Sequence, residues 1–374
     1  MQESYDVVVV GGGIAGSVAA RFAAGHGLST LLVEKARTPR NKACSGIQFT
    51  YFERLLGERI PRHALCANDI SRVEMITPGG RVFRGRMHML NFWRSTFDSW
   101  LNQVAAKAGA RFSDETRLVD FHEDGGWTRV HIATNEAEKT VRTRYLIGAD
   151  GMNSVIRKKL RPQDYAPKTT GATLNYYFVG QAELDPNTLY MFYDRDFSPL
   201  MFAWVYLKDD QWVVGTGADD NLTEYAGRFL SHIQEKYSLR AELVRKEGFA
   251  SPLESTVYLG EGRVLMAGDA AGLVDLYRGL GMDNAALSAR LAVKAILQAE
   301  KKGNPPADTY MRLMERITRR IRRNAGKQMA RYATNETLEK SLSPMRVARD
   351  GVLMLTAAQV DRLLPAERMI FLPL

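Results

Sequence analysis

The sequence predicts an α/β chain: a doubly wound nucleotide-binding sheet, a second β-rich body and a helical C-terminal part. Three observations predict it. A buried-type strand at 6–10 runs into three glycines and an alanine-rich helix. Strand-like and helix-like segments alternate on either side of that unit. A strand-rich stretch at roughly 168–257 then interrupts the alternation.

The elements follow in order. Asp6-Val7-Val8-Val9-Val10 is short and β-branched, as a parallel strand buried on both faces requires. Residues 14–26 read as a helix and 29–34 as a second strand. Residues 5–34 thus make one β-turn-α-β unit. Residues 91–109 have helical spacing through Phe92, Phe97, Leu101, Val104, Ala105 and Ala108. Strands follow at 117–122, 127–133 and 140–147, the first two joined by Asp124-Gly125-Gly126. In the middle of the chain, 200–207 and 211–217 read as a hairpin turning at Lys208-Asp209-Asp210. A strand at 263–267 leads to a helix at about 281–301, and Gly303-Asn304-Pro305-Pro306 is a linker into mostly helical sequence. The expected division is a discontinuous nucleotide-binding domain (1–75, 91–165 and 258–303), a β-rich domain (76–90 and 166–257) and a C-terminal region (304–374).

Composition excludes several classes. The chain has 374 residues, enough for about two domains, and 45% hydrophobic with 25% charged residues rules out bulk disorder. Lys and Arg number 51 against 42 Asp and Glu, a net charge of +9. The two cysteines, Cys44 and Cys66, make no disulfide framework, which points to a reducing, cytoplasmic setting. The first residues carry an early acid and no basic region, unlike a secretory signal. No apolar run reaches the ~18 residues of a spanning helix. Six scattered histidines without HExxH or Cys/His spacing assign no metal, and no G-x-S-x-G assigns no hydrolytic triad.

Gly11, Gly13 and Gly16 form G-x-G-x-x-G between the first strand and its helix. The first glycine makes the turn, the second admits a pyrophosphate, and the third packs helix on strand. Ala15 sits in the opening helical turn, whose N–H groups face the anion. Glu34 ends the next strand 18 residues after Gly16 and can hold ribose hydroxyls, with Lys35 beside it. An acid there disfavours a 2′-phosphate, so FAD or NAD is expected rather than NADP. No second strand-GxGxxG-helix unit is present. A nicotinamide cofactor, NAD(P)H, is therefore expected only as a transient visitor, and reduction by an electron-donor protein is equally open.

Two later segments select FAD by resemblance. Asp150-Gly151-Met152-Asn153-Ser154-Val155-Ile156-Arg157 resembles the D-G-x-x-S-x-x-R segment of flavin-dependent aromatic hydroxylases. Gly268-Asp269-Ala270-Ala271-Gly272 after a strand resembles their second FAD segment, whose aspartate holds the ribityl chain. Arg94 leads a helix similar to the group's arginine-led one and implies a place near the FAD phosphates or the flavin edge. The order and separation of the motifs fit this Rossmann-type superfamily.

Within it the chain resembles the geranylgeranyl reductase family. Phe202-Ala203-Trp204-Val205-Tyr206-Leu207-Lys208 with Val214-Gly215-Thr216-Gly217 is similar to that family's aromatic hairpin. Lys42-Ala43-Cys44-Ser45-Gly46 resembles its Lys-x-Cys-Gly-Gly loop, and Gly279-Leu280-Gly281 its G-x-G stretch. Leu207 and Leu276 stand where the family has Pro, and Ser45 where it has Gly. The resemblance implies an FAD-dependent oxidoreductase that delivers hydride from flavin N5 to a C=C bond of an isoprenoid-like or other apolar substrate. Two alternatives stay open: an NAD(P)H-dependent aromatic monooxygenase on the same scaffold, and a non-enzymatic prenyl-binding carrier.

The residues carry further expectations. Gly281 and Met282 open a helix whose positive end faces the flavin, or else make an ordinary turn into a core helix. Phe202, Trp204 and Tyr206 share one strand face, opposite Met201, Ala203, Val205 and Leu207. They form either a pocket wall, with Trp204 and Tyr206 as catalytic candidates, or the core side of the sheet. Cys44 is the third catalytic candidate, with Arg40 and Lys42 near enough in sequence to favour its thiolate. Tyr310, Leu313, Met314, Ile317, Ile321, Ala325 and Met329 have helical spacing among Arg312, Arg316, Arg319, Arg320, Arg322, Arg323, Lys327 and Arg331. This 310–331 helix reads either as attachment to an anionic membrane surface, making the protein peripheral, or as a solvated basic face. Nucleic acid is not expected, because no recognition motif accompanies the charge.

Overall fold

The computed structural model describes residues 3–165, 170–252, 256–275, 279 and 281–369. The chain opens with β1 (Ser4–Val10), α1 (Ile14–Gly25) and β2 (Thr30–Val33). Strand β3 (Ile47–Phe49) and helix α2 (Phe52–Leu56) lead to the hairpin β4 (Ile70–Ile76) and β5 (Val82–Asn91). Helix α3 (Arg94–Lys107) is followed by β6 (Arg111–Ser113), β7 (Arg117–Asp124), β8 (Trp127–Ala133), β9 (Glu138–Gly148) and α4 (Val155–Leu160). Next come β10 (Thr170–Gln181), β11 (Thr188–Phe192), β12 (Ala203–Lys208), β13 (Gln211–Ala218), α5 (Leu222–Lys236) and β14 (Arg240–Pro252). The chain then returns through β15 (Gly260–Glu261), β16 (Val264–Met266) and α6 (Met282–Lys302). Helices α7 (Ala307–Arg331), α8 (Asn335–Ser341) and α9 (Pro344–Leu363) complete it.

The first sheet has the path β15-β16-β9-β1-β2-β6, with β8 and β7 joined to β9. Its centre is parallel, β16 to β9 to β1 to β2 to β6. Val7 through Val10 are buried, as a central parallel strand requires. Gly125 and Gly126 both have positive φ, which supplies the two-residue turn between β7 and β8. The first core runs from these strands to α1, α3 and α6, and takes in Tyr310, Met314, Ile317 and Ile321 of α7.

The second sheet runs β14-β10-β13-β12-β11-β4-β5-β3. Strands β3 and β4 pair there although both fall within the 1–75 stretch assigned to the nucleotide-binding part. Strand β4 makes a local hairpin with β5, but β11, which ties it into this sheet, and β5, the partner of β3, lie well apart from them in the chain, so local sequence carries no sign of which sheet they join. Alternation along the strands gives this sheet two apolar faces. Tyr176, Phe178, Ala203, Val205 and Val214 face Phe229 and Ile233 of α5. Tyr177, Met191, Trp204, Tyr206 and Val213 face Tyr332, Leu338 and Leu342 of the C-terminal region.

Three local expectations change. Lys208 belongs to β12 and pairs with Gln211, so the turn is Asp209-Asp210, with Asp209 at positive φ. Met201 and Phe202 precede β12, and both pack on the Trp204 side, because strand alternation does not govern residues outside the strand. In α7 the buried seam is Tyr310, Met314, Ile317, Ile321 and Asn324, while Ala325 and Met329 are exposed. Alternating steps of four and three keep a seam on one side, and they reach 324 rather than 325.

Candidate active site

The glycine fingerprint folds as its mechanism demands. Gly11 has φ +107°, and a Cβ there would lie 2.3 Å from the Ala149 carbonyl oxygen. A Cβ on Gly16 would lie 1.7 Å from the Gly11 oxygen, so no larger residue lets α1 start this close to the turn. Gly13 caps α1 without a side-chain hydrogen bond, which leaves the first-turn N–H groups for an anion. Glu34 is buried at the end of β2, accepts the Gly12 N–H at 2.7 Å and the Ala36 N–H at 3.0 Å, and pairs with Arg40 at 3.3 Å. Lys35 beside it is exposed.

Three segments distant in sequence meet here. Gly11 packs against Ala149 and Asp150 at the end of β9. Gly268 fits between Ala15 of α1 and Ala285 of α6, 3.0 and 3.3 Å from where its Cβ would be. Asp269 follows β16 and pairs with Lys42 at 2.9 Å. Burial alone would raise the Asp269 pKa, but Lys42 and Arg94 outweigh it and hold the carboxylate below its ordinary value. Asp150 is raised by burial against hydrogen bonds from Ser154, Val155 and Ile156. Its Oδ2 accepts the Val155 N–H, while its buried Oδ1 has no partner among the described residues. Next to it, Gly151 takes positive φ.

This set fits FAD. The glycine cradle and the uncapped α1 turn suit a pyrophosphate, Glu34 a ribose, and Asp269 and the free oxygen of Asp150 hydroxyl donors.

Arg94 opens α3 and is buried in a bidentate pair with Asp98, at 2.8 and 2.7 Å. Arg40 joins it at Asp98, 3.3 Å away. Cys44 reaches Met282 at 3.7 Å and lies beside the Arg94 guanidinium. The cation next to this thiol is thus Arg94; the expected neighbours Arg40 and Lys42 are engaged by Glu34, Asp98 and Asp269. Gly281 is the N-cap of α6 and Gly279 has positive φ, both with open space where a Cβ would be. The first turn of α6 is less positive than its dipole alone implies, because it carries the buried carboxylate of Asp283. Leu276 and Leu280 lie outside the described residues.

On the second sheet, Trp204 is locked in place. Its indole N–H donates to Asn175 at 2.8 Å, and a Cβ on Gly215 would lie 2.2 Å from that nitrogen. The V-G-x-G stretch therefore makes room for the indole. Tyr206 is fully buried, its hydroxyl 3.4 Å from the Ser45 carbonyl, and burial drives its pKa well above the ordinary value. Lys208 is buried, donates to the Phe92 carbonyl and lies over the Trp93 ring at 4.7 Å. Burial pushes its pKa down to about 8.

A narrow cleft between the second sheet, the start of α3 and the loop of Cys44 is lined by Lys42, Cys44, Trp93, Arg94, Tyr177, Arg245 and Glu247. Tyr177 donates to Glu247 at 2.7 Å, and Arg245 pairs with Glu247 at 3.0 Å while stacking over Tyr177 and Trp93. Sequence reading missed Tyr177, Arg245, Glu247 and Lys208 as site residues. Only the β10–β14 register, which sets Tyr177 opposite Arg245, brings the first three together.

Comparison with known proteins agrees with this geometry. The FAD binding domain family matches residues 4–325. The geranylgeranyl diphosphate reductase of Rhodobacter capsulatus is 33% identical, covering 80% of this chain and 77% of its own. The digeranylgeranylglycerophospholipid reductase of Methanosphaerula palustris is 27% identical, covering 81% and 79%. Among solved structures, a geranylgeranyl bacteriochlorophyll reductase-like protein from Thermoplasma acidophilum superposes with a TM-score of 0.82 at 24% identity, covering 92% of each chain.

Proposed function

From the premise that the chain belongs to the FAD binding domain family, and within it to the geranylgeranyl reductases, we propose that this FAD-dependent oxidoreductase saturates C=C bonds of an isoprenoid-like apolar substrate. When bound, FAD supplies the hydride, from N5 to one alkene carbon. The observation that carries the reading is the convergence of the Gly11–Gly16 turn, Asp150 and Asp269, with Asp269 paired to Lys42 of the loop that carries Cys44, and Cys44 in contact with Met282 at the start of α6.

The chain's own residues then have distinct tasks. Gly11, Gly13, Ala15, Gly16, Glu34 and Lys35 hold the adenosine and pyrophosphate end. Asp150, Gly151, Gly268, Asp269, Gly279, Gly281 and Met282 hold the ribityl and flavin end. Trp204, fixed by Asn175, and Tyr206, its hydroxyl at the Ser45 carbonyl, back the substrate site from inside the second sheet and keep water from it. Cys44 delivers the proton that accompanies the hydride, with the Arg94 guanidinium beside its sulfur. Tyr206 is the poorer proton donor, since burial raises its pKa well above 10.0. Electrons arrive from an electron-donor protein or from NAD(P)H visiting transiently. The exposed Arg312, Arg319, Arg322, Arg323 and Lys327 of α7 provide the basic surface for an anionic membrane. No helix among the described residues is long and apolar enough to cross one.

The test is anaerobic. Chemically reduced holoprotein is mixed with a polyprenyl diphosphate, and the product is read by mass spectrometry. Addition of two hydrogens per reduced bond, with flavin reoxidation, supports the reading. No reoxidation and no hydrogenated product in that mixture, with reoxidation and a hydroxylated product only once oxygen and an aromatic substrate are admitted, would replace it by the monooxygenase.

A further inference from the structure

Helix α9 lies with a strongly apolar side towards solvent. Met345, Leu355 and Leu363 are 83, 71 and 87% exposed, and Val352, Leu353 and Val360 are exposed as well. On a 3.6-residue repeat these six fall within roughly 80° of one line along the 20-residue helix. The opposite side is the one that packs: Ala357 and Asp361 are buried, and Val347 and Met354 are half-buried. Arg54 clamps that side by donating to the Asp361 and Leu364 carbonyls. The helix is thus held in one rotation, and its outward face cannot turn inward.

The charges on that face have one sign. Arg349 lies within it, and Arg346 and Arg362 flank it, all exposed. The two acids of α9 lie off it: Asp361 is buried, and Asp350 is half-buried and bonded to Arg349 at 2.8 Å. The hydroxyl of Thr356 is satisfied within the helix by the Val352 carbonyl. The face is apolar except where Arg349, Thr356 and Gln359 cross it; with Arg346 and Arg362 at its edges and no outward carboxylate, it has the pattern of a helix lying in a membrane interface. A second copy of the chain fits poorly, because a two-fold contact would bring the same arginines together without partners.

We propose that α9 lies in the plane of an anionic lipid bilayer, with Val352, Leu355 and Leu363 among the acyl chains and Arg346, Arg349 and Arg362 at the headgroup phosphates. The proposal moves the insertion point from the basic α7 to α9 and stands apart from the reductase reading.

The experiment is flotation of the full-length holoprotein with vesicles of phosphatidylcholine alone or mixed with phosphatidylglycerol. Binding to the anionic vesicles, weakened by salt, is expected. L355E/L363E should lower the partition coefficient at least about tenfold. M345A/L363A, which keeps helix propensity, should weaken it less while circular dichroism stays unchanged. Full binding by L355E/L363E, equal binding to neutral vesicles, or binding to neither overturns the proposal. So does loss of binding in R322E/R323E of α7 with α9 variants unaffected. A dimer in sedimentation velocity that L355E/L363E converts to monomer, without vesicle binding, assigns the face to a second copy instead. Turnover of detergent-dispersed substrate, read in parallel, should be the same in the α9 variants, which separates this proposal from the catalytic one.

Discussion

Replacing Lys208 with Met tests the buried cation at the heart of the site. Among the described residues no carboxylate bonds Lys208; its ammonium donates to the Phe92 carbonyl and lies over Trp93. Burial lowers its pKa from 10.5 to about 8, opposed by the Cys66, Cys44 and Asp209 charges. A lowered lysine pKa means that the folded state binds the proton less tightly than the unfolded chain. The resulting penalty is fully present below pH ~8, falls as pH rises from there towards 10.5, and vanishes above it. The full shift corresponds to roughly 3 kcal/mol, of which about 2 kcal/mol is relieved between pH 7 and 9.5. Met removes this penalty and also leaves the Phe92 carbonyl without its donor, a cost of about 1–3 kcal/mol that pH does not change. The variant should therefore be near wild-type stability at pH 7 and lose about 2 kcal/mol relative to wild type by pH 9.5. Urea unfolding of both proteins at the two pH values measures the difference of differences, in which other titrating groups cancel. A stability gap that stays constant with pH refutes a depressed Lys208 pKa.

Gly16→Ala should give a protein that retains no flavin, because its methyl would meet the Gly11 oxygen at 1.7 Å; Gly281→Ala, with open space, should fold and stay yellow, and visible absorbance after gel filtration reads both. Cys44→Ala should keep FAD and lower turnover by about 10²-fold or more, the usual worth of a positioned proton donor; wild-type turnover removes Cys44 from the mechanism. Gly215→Ala pushes on the Trp204 indole nitrogen and should raise the substrate KM with flavin content intact, so an unchanged KM would detach Trp204 from the pocket wall.

What the sequence made legible was whatever local chemistry dictates. The valine strand, the glycine turn, Glu34 at the end of β2, the Gly125-Gly126 hairpin and the aromatic alternation of β12 all follow from nearest neighbours and strand geometry. The placement of Asp269 just after β16 was legible through the resemblance of Gly268–Gly272 to a known FAD segment rather than through local chemistry. The remainder depends on register between distant strands. Nothing near Tyr177 announces that β14 will set Arg245 opposite it, or that β4 will pair with β11 rather than join the first sheet. The basic helix makes the point for charge. Its spacing reads as one cationic surface, yet Arg316 donates to the Met369 carbonyl, Arg331 bonds Ser341 and stacks on Tyr193, and Arg320 turns inward. Spacing fixes the side of a helix, but only packing decides which of its charges meet buried partners.

Arg320 is the consequential case, because it reaches the end of α6 proposed to face the flavin. It donates to Asn284 at 3.0 Å and lies 3.6 Å from the buried Asp275, while Asp283 sits in the same first turn. The helix end contributes about half a positive charge. Against two buried carboxylates that is not enough, and the arginine brings the local balance back towards neutral. Arg320→Met should make this end negative and disfavour an anionic reduced flavin by about 1–2 kcal/mol, which lowers a two-electron midpoint potential by ~20–40 mV. Arg320→Lys keeps the charge and should keep most of the potential. Because taking the cation from a buried carboxylate can cost a few kcal/mol of stability even where Asn324 still donates to Asp275, the melting temperature is followed alongside. Spectroelectrochemical titration then separates two roles. A fall in potential for Met but not Lys places the α6 terminus at the flavin. Equal potentials with a lowered melting temperature make Arg320 a structural clamp and remove α6 from the tuning of the cofactor.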